Sequence, residues 1–142
     1  MKINYIVTHP KLTPLKALPN DAGYDLKSAV NLVLNPCQRV LVSTGLSLEL
    51  PSNSVGMVCS KSGLALKFGV SVLNSPGIID SSYRGEIRVV LYNAGTEAYK
   101  IEQYSKVAQL IILEYSQSPL SLVTELSQTE RGCRGFGSTG LK

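Results

Sequence analysis

The feature that most limits how this chain can fold is a two-residue alternation, repeated in short runs and broken regularly by turn formers. Ile3, Tyr5 and Val7 recur at every second position. Leu32 and Leu34 do so up to Asn35-Pro36, Val40 and Val42 lead to Thr44-Gly45, and Leu46, Leu48 and Leu50 follow before Pro51. Val55, Met57 and Cys59 make another run, and Ile87, Val89 and Leu91 one more before Asn93-Ala94-Gly95. Successive side chains of a strand point to opposite faces, so such runs read as half-buried strands. Turns at this frequency predict an all-β sandwich, barrel or jelly roll.

Helix is scarce. Residues 62–67 are the best candidate, about two turns long. Residues 107–113 are almost continuously apolar; periodicity alone cannot separate strand from helix there, but their length and polar flanks favour a strand. The 142 residues suit one domain, which buries roughly 70% of its unfolded surface and needs no disulfide. Cys37, Cys59 and Cys133 are odd in number and lack metal-ligand spacing, so free thiols in a reducing cytoplasm are expected. Charged residues make up only 17% of the chain, which excludes a disordered or coiled-coil reading. The basic residues behind the net charge of +4 are scattered. They suit a solvated surface or a site that gathers an anion. No basic run points to nucleic acid, and no apolar stretch points to a signal peptide or a membrane span.

Several residues carry two readings. Asp80, in Gly77-Ile78-Ile79-Asp80-Ser81-Ser82-Tyr83-Arg84-Gly85, is either a turn former or a general base at a pocket wall. Asp25, in Ala22-Gly23-Tyr24-Asp25-Leu26, is a turn or cap residue or orients Mg²⁺ through its waters. The hydroxyls of Ser60-Lys61-Ser62-Gly63 cap the helix candidate or, with the lysine, meet an anion. Residues 131–140 hold four glycines, two arginines, two hydroxyls and one aromatic. This is either a frayed tail or a phosphate-binding arm. His9, the single histidine, reads as a surface residue. A histidine-rich metal site is impossible, and no P-loop signature is present.

Five of these segments, in order and across nearly the whole chain, resemble the trimeric dUTPase family. They are Ala22-Gly23-Tyr24-Asp25-Leu26, Ser60-Lys61-Ser62-Gly63-Leu64, Gly77 through Gly85, Tyr104-Ser105-Lys106-Val107-Ala108-Gln109-Leu110, and Arg131 through Gly140. The resemblance implies a distorted jelly-roll β-barrel over residues 1–130, with one short helix. Residues 131–142 would form a flexible glycine-rich arm that closes over the active site. It implies a cytoplasmic dUTP diphosphatase that releases dUMP and pyrophosphate. Such an enzyme limits uracil incorporation into DNA and supplies dUMP for dTMP synthesis. The implied state is a homotrimer with sites shared between subunits.

The resemblance also implies roles. Asp80 would activate the water that attacks the α-phosphorus. Tyr83 would lie under the deoxyribose, and Asn74 with the backbone near Ile78 and Ile79 would read uracil. Ser62, Gly63 and Gln109 would hold phosphate oxygens near the reacting centre, with Lys61 and Lys106 as phosphate-binding charges. Asp25 would position Mg²⁺ through water, the ion being held mainly by substrate. Phe136 would close over uracil, and Arg131, Gly137, Ser138 and Thr139 would wrap the phosphates. Two departures stand out. Lys61 and Lys106 occupy positions where the family has arginine, and Tyr104-Ser105 replaces a Gly-Asp turn. Lysine keeps the charge but not the planar bidentate grip. The alternatives are a dCTP deaminase-like enzyme and a non-catalytic nucleotide-binding regulator on the same fold. Asp80 and the arm carrying Phe136 argue for hydrolysis.

Overall fold

Two four-stranded antiparallel sheets enclose the core, and a computed structural model describes residues 2–135. In chain order the strands are β1 (Asn4–Val7), β2 (Tyr24–Lys27), β3 (Leu32–Leu34), β4 (Arg39–Glu49), β5 (Ser54–Cys59), β6 (Val70–Val72), β7 (Gly77–Ile79), β8 (Ile87–Asn93), β9 (Tyr99–Ile101) and β10 (Lys106–Glu114). The first sheet runs β1-β4-β8-β6 and the second β2-β10-β5-β7; β3 and β9 pair separately. Among the described residues one α-helix, α1 (Ser62–Phe68), follows β5, and a short 3-10 helix spans Pro10–Leu12. The expected all-β class, the helix at residues 62–67 and the strand at residues 107–113 are all present.

The core forms where the sheets face each other. Val42, Leu46, Val89 and Leu91 of the first sheet meet Leu26, Val58, Ala108 and Leu110 of the second. Each is almost fully buried, and burying such an aliphatic side chain contributes about 1.5–3 kcal/mol.

Two local features differ from the alternation. Thr44-Gly45 is a bulge inside one long strand, not a turn between two. The β4–β8 register shifts between Ser43 and Leu46. Gly45 takes φ +66, its N–H donates to Glu86 Oε1 at 2.7 Å, and Thr44 Oγ1 donates to the Ile87 carbonyl at 2.5 Å. The groups a turn would leave to solvent are thus satisfied by β8 and the residue before it. In β5 the expected Val55, Met57 and Cys59 face outward and are half-buried, whereas Ser54, Gly56 and Val58 face the core. The outward set pairs across to Leu113, Ile111 and Gln109 of β10. One face of the second sheet is therefore apolar and only partly covered by its own chain.

Helix α1 is placed from its far end. Gly69 ends it at φ +67, and a Cβ there would lie 2.5 Å from the Gly95 nitrogen. The fully buried Asn93 holds that turn, donating to the Leu34 and Glu97 carbonyls and accepting from the Gly95 N–H. These bonds set where the first turn of α1, with Ser62 and Gly63, emerges. After Glu114 the described chain enters no further strand.

Candidate active site

The first, second and fourth motifs converge at one end of the second sheet. Gln109 of β10 lies between Asp25 of β2 and Cys59 of β5 as their direct cross-strand partner. Gln109 Nε2 donates to the Ser60 carbonyl at 2.9 Å, tying β10 to the segment that leaves β5. A Cβ on Gly23 would come within 2.7 Å of Gln109 Oε1, so this corner of the first motif excludes a side chain.

Asp25 is the centre of the cluster. Lys61 Nζ lies 2.5 Å from Oδ1 and Lys106 Nζ 2.6 Å from Oδ2. The two lysines, far apart in sequence, thus grip opposite oxygens of one buried carboxylate. Burial pushes the Asp25 carboxyl up, but the hydrogen bonds from Lys106 and Lys61 outweigh it and hold it below the usual carboxylate range. The cluster carries one net positive charge. Each ammonium keeps further N–H donors beyond the one used on Asp25.

Ser62 and Gly63 stand exposed on the first turn of α1. The capping reading does not hold: Lys61 is the N-cap residue and no side chain caps the helix. Ser60 Oγ instead accepts the Val72 N–H at 2.8 Å, fixing the start of the segment to β6. A Cβ at Gly63 meets nothing within 4 Å, which leaves its backbone open to approach.

The third motif builds a second centre. Ile78, Ile79, Asp80 and Tyr83, with Glu86 and Ile87, line a surface pocket of about 260 Å³. Asp80 lies in a turn, its carbonyl accepting the Tyr83 N–H at 3.0 Å, and its exposed side chain lines the pocket. Among the described residues no hydrogen bond or ion pair engages its carboxylate. The Tyr83 hydroxyl donates to the Glu86 carbonyl at 3.0 Å. Arg84 Nη1 donates to the Ser81 and Tyr83 carbonyls and closes the turn. Asn74 is exposed in the loop before β7, with its Nδ2 3.3 Å from where a Cβ on Gly77 would lie. Glu86 and Arg88, which also line the pocket, were not among the expected site residues. Glu86 sits directly after the third motif, and that adjacency was the available signal.

The two centres lie apart within one chain. β7 runs antiparallel to β5, with Gly77 opposite Val58 and Ile79 opposite Gly56. Asp80 therefore continues toward the start of β5, whereas Ser60 leaves from its end. By that register Asp80 falls level with Val55, so five residue steps of strand, about 17 Å at the usual rise, separate it from Ser60.

Arg131 is exposed in a local turn, where its Nε donates to the Arg134 carbonyl at 3.1 Å. Phe136, Gly137, Ser138 and Thr139 lie outside the described residues.

The dUTPase family model matches residues 10–140. The chain belongs to the dUTPase family. The membership bears out the enzyme class implied by the motifs, a dUTP diphosphatase, and the jelly-roll fold class. The deoxyuridine 5'-triphosphate nucleotidohydrolase of Clostridium novyi is 43% identical over 99% of this chain and its own full length. That of Alkaliphilus metalliredigens is 45% identical over all of this chain and 98% of its own. The dUTPase of Staphylococcus bacteriophage 80alpha, solved with dUpNHpp, superimposes with a TM-score of 0.91 at 26% identity, covering 99% of both chains.

Tyr104 takes φ 70, a left-handed conformation that favours glycine, and the structure shows what holds it there. Its ring packs on His9 at 5.2 Å between centroids, with Lys11 Nζ over it at 5.1 Å. Its N–H donates to the Ser28 carbonyl at 2.7 Å. These contacts stabilise the turn that delivers Lys106 to Asp25 and give His9 a structural role at the surface.

The residues suit a cation carried by substrate. Among the described residues no three His, Cys, Asp or Glu side chains cluster as a metal cage. Asp25 is one carboxylate already faced by two ammoniums. That fits contact through water with an ion held by phosphate oxygens, and Mg²⁺ retains its waters in this way.

Proposed function

We propose that the chain hydrolyses dUTP to dUMP and pyrophosphate, limiting uracil incorporation into DNA and supplying dUMP for dTMP synthesis. The observation that carries this reading is the Asp80 carboxylate, unpaired among the described residues, in a pocket shared with Tyr83, Ile78 and Ile79. A carboxylate without a cation partner keeps its lone pairs for a proton. Asp80 takes that proton from the water that attacks the α-phosphorus. Tyr83 forms the floor under the deoxyribose, and Asn74 with the backbone at Ile78 and Ile79 reads uracil. Lys61, Lys106, Ser62, Gly63 and Gln109 orient the phosphates and take up developing charge. Asp25 would contact, through water, a Mg²⁺ held mainly by the phosphates, and the ion would supply charge neutralisation for the triphosphate. Residues 131–142 act as an arm: Arg131, Gly137, Ser138 and Thr139 wrap the phosphates, and Phe136 covers the base, excluding bulk water.

The active unit is a cytoplasmic homotrimer with sites shared between subunits. The separation of the two centres supports sharing, because a nucleotide set in the Asp80 pocket of one chain needs phosphate donors from elsewhere. The outward apolar face of β5 and β10 supports association. So do Leu120 and Leu122 in the segment after β10, which their own chain leaves fully exposed. No helix among the described residues is long and apolar enough to cross a membrane.

The test is turnover with pyrophosphate detection on dUTP, dCTP, dTTP and UTP with Mg²⁺, on protein whose mass is read by light scattering. A trimer with strong preference for dUTP is expected, because a site built to pair one base edge leaves its polar groups unsatisfied by another. Comparable turnover of dCTP or UTP contradicts the substrate, and a monomer mass contradicts the shared site.

A further inference from the structure

We propose that Glu86 is a positioning residue for sugar selection, holding Tyr83 in place from the bulge of β4; this rests on the reading of Tyr83 as the floor under the deoxyribose. Tyr83 is fixed at two points. Its hydroxyl donates to the Glu86 carbonyl at 3.0 Å. Its ring also lies so close to Gly85 that a Cβ there would sit 2.4 Å from the hydroxyl oxygen and 2.6 Å from Cζ. The ring position therefore follows the backbone at residues 85 and 86.

That backbone is in turn anchored by the Glu86 side chain. Oε1 accepts the Gly45 N–H at 2.7 Å and Oε2 accepts from Ser43 Oγ at 3.3 Å. Both donors sit in the β4 bulge, which is itself rigid. Gly45 is buried at φ +66, and a Cβ on it would lie 2.3 Å from Thr8 Oγ1. Thr44 Oγ1 holds the Ile87 carbonyl at 2.5 Å. The carboxylate thus connects a fixed bulge to the residue that fixes Tyr83, and Glu86 lines the same pocket. Ribose and deoxyribose differ by one oxygen. A floor that shifts by about one ångström would admit it, and displacements of that size carry large kinetic effects.

The experiment measures kcat/KM for dUTP and UTP, with the melting temperature of each protein recorded separately. The proteins are the full chain and its Glu86→Ala, Glu86→Gln and Tyr83→Ala variants. Glu86→Ala is expected to narrow the preference for dUTP over UTP by about tenfold. Glu86→Gln keeps an oxygen to accept the Gly45 N–H and is expected to retain most of the preference. Loss of stability alone would lower both substrates equally. Should Glu86→Ala fail to fold, Glu86→Asp is read in its place, since its carboxylate is one methylene too short for the bulge. Unchanged preference in the Glu86 variants, together with lost preference in Tyr83→Ala, overturns the proposal. Unchanged preference in Tyr83→Ala overturns the Tyr83 reading instead, and the role of Glu86 with it.

Discussion

The two centres of the site hold their carboxylates in opposite ways. Asp25 is buried and gripped on both oxygens by Lys61 and Lys106. Asp80 stands exposed on a turn, and no ion pair among the described residues touches it. A carboxylate committed to two ammoniums is a poor proton acceptor, but it sets their positions. A carboxylate left free orients little but can take a proton. The division suits a reaction that needs preorganised charge at the phosphates and a base at the water.

The sharpest break in this contrast is Asp80→Asn, which keeps size and removes basicity. Turnover is expected to fall by about 10²–10⁴-fold with nucleotide binding largely kept. Activity within about threefold of the parent, against that range, would remove Asp80 from the role. The same variant also tests whether the centres belong to different chains. An equal mixture of Asp80→Asn and Lys61→Ala subunits, unfolded and reassembled together, should recover about a quarter of the parent activity, since random assembly gives that share of sites two intact centres. No recovery above the separate variants would place both centres in one chain.

The lysine side of the contrast is smaller in effect. Lys61→Ala and Lys106→Ala are each expected to lower kcat/KM for dUTP by about ten- to a hundredfold, the range of a lost charged hydrogen bond. Because both lysines rest on Asp25, the double variant should cost less than the product of the singles. Near-normal kcat and KM in both single variants would make these lysines surface charges.

The smallest expected effect is on stability. The Asp25 carboxyl is held below its ordinary value near 3.8. A depressed carboxylate contributes stability that is complete above its unfolded value and lost as the pH falls through the folded one. Asp25→Asn should therefore destabilise the fold by about 1–3 kcal/mol at neutral pH. The gap from the parent should shrink below pH 3.8. Urea melts at several pH values check this, and a gap constant with pH contradicts it.

The strands were legible because alternation is local: Ile87 through Leu91 declare a half-buried surface without help from the rest of the chain, whereas β1, read the same way, is mostly exposed. The short helix and the apolar strand at residues 107–113 were legible for similar reasons. Thr44-Gly45 misled because the same dipeptide serves a turn or a bulge. What decided was Glu86, distant in sequence, which satisfies the Gly45 N–H. The parity of β5 misled because both of its faces carry apolar residues, so the pattern did not say which one meets the core.

The sequence by itself determined the all-β class, the one α-helix among the described residues and the motifs of the dUTPase family. Strand period, turn residues and the five motifs are all properties of neighbours along the chain. It did not determine that Lys61 and Lys106 meet on Asp25, that Tyr104 is braced by His9, or that Asp80 lies toward the start of β5 while Ser60 leaves from its end. Those facts depend on register and crossing between strands distant in sequence. Register is set by summed burial and by hydrogen bonds satisfied across the whole sheet, so only the tertiary structure decided them.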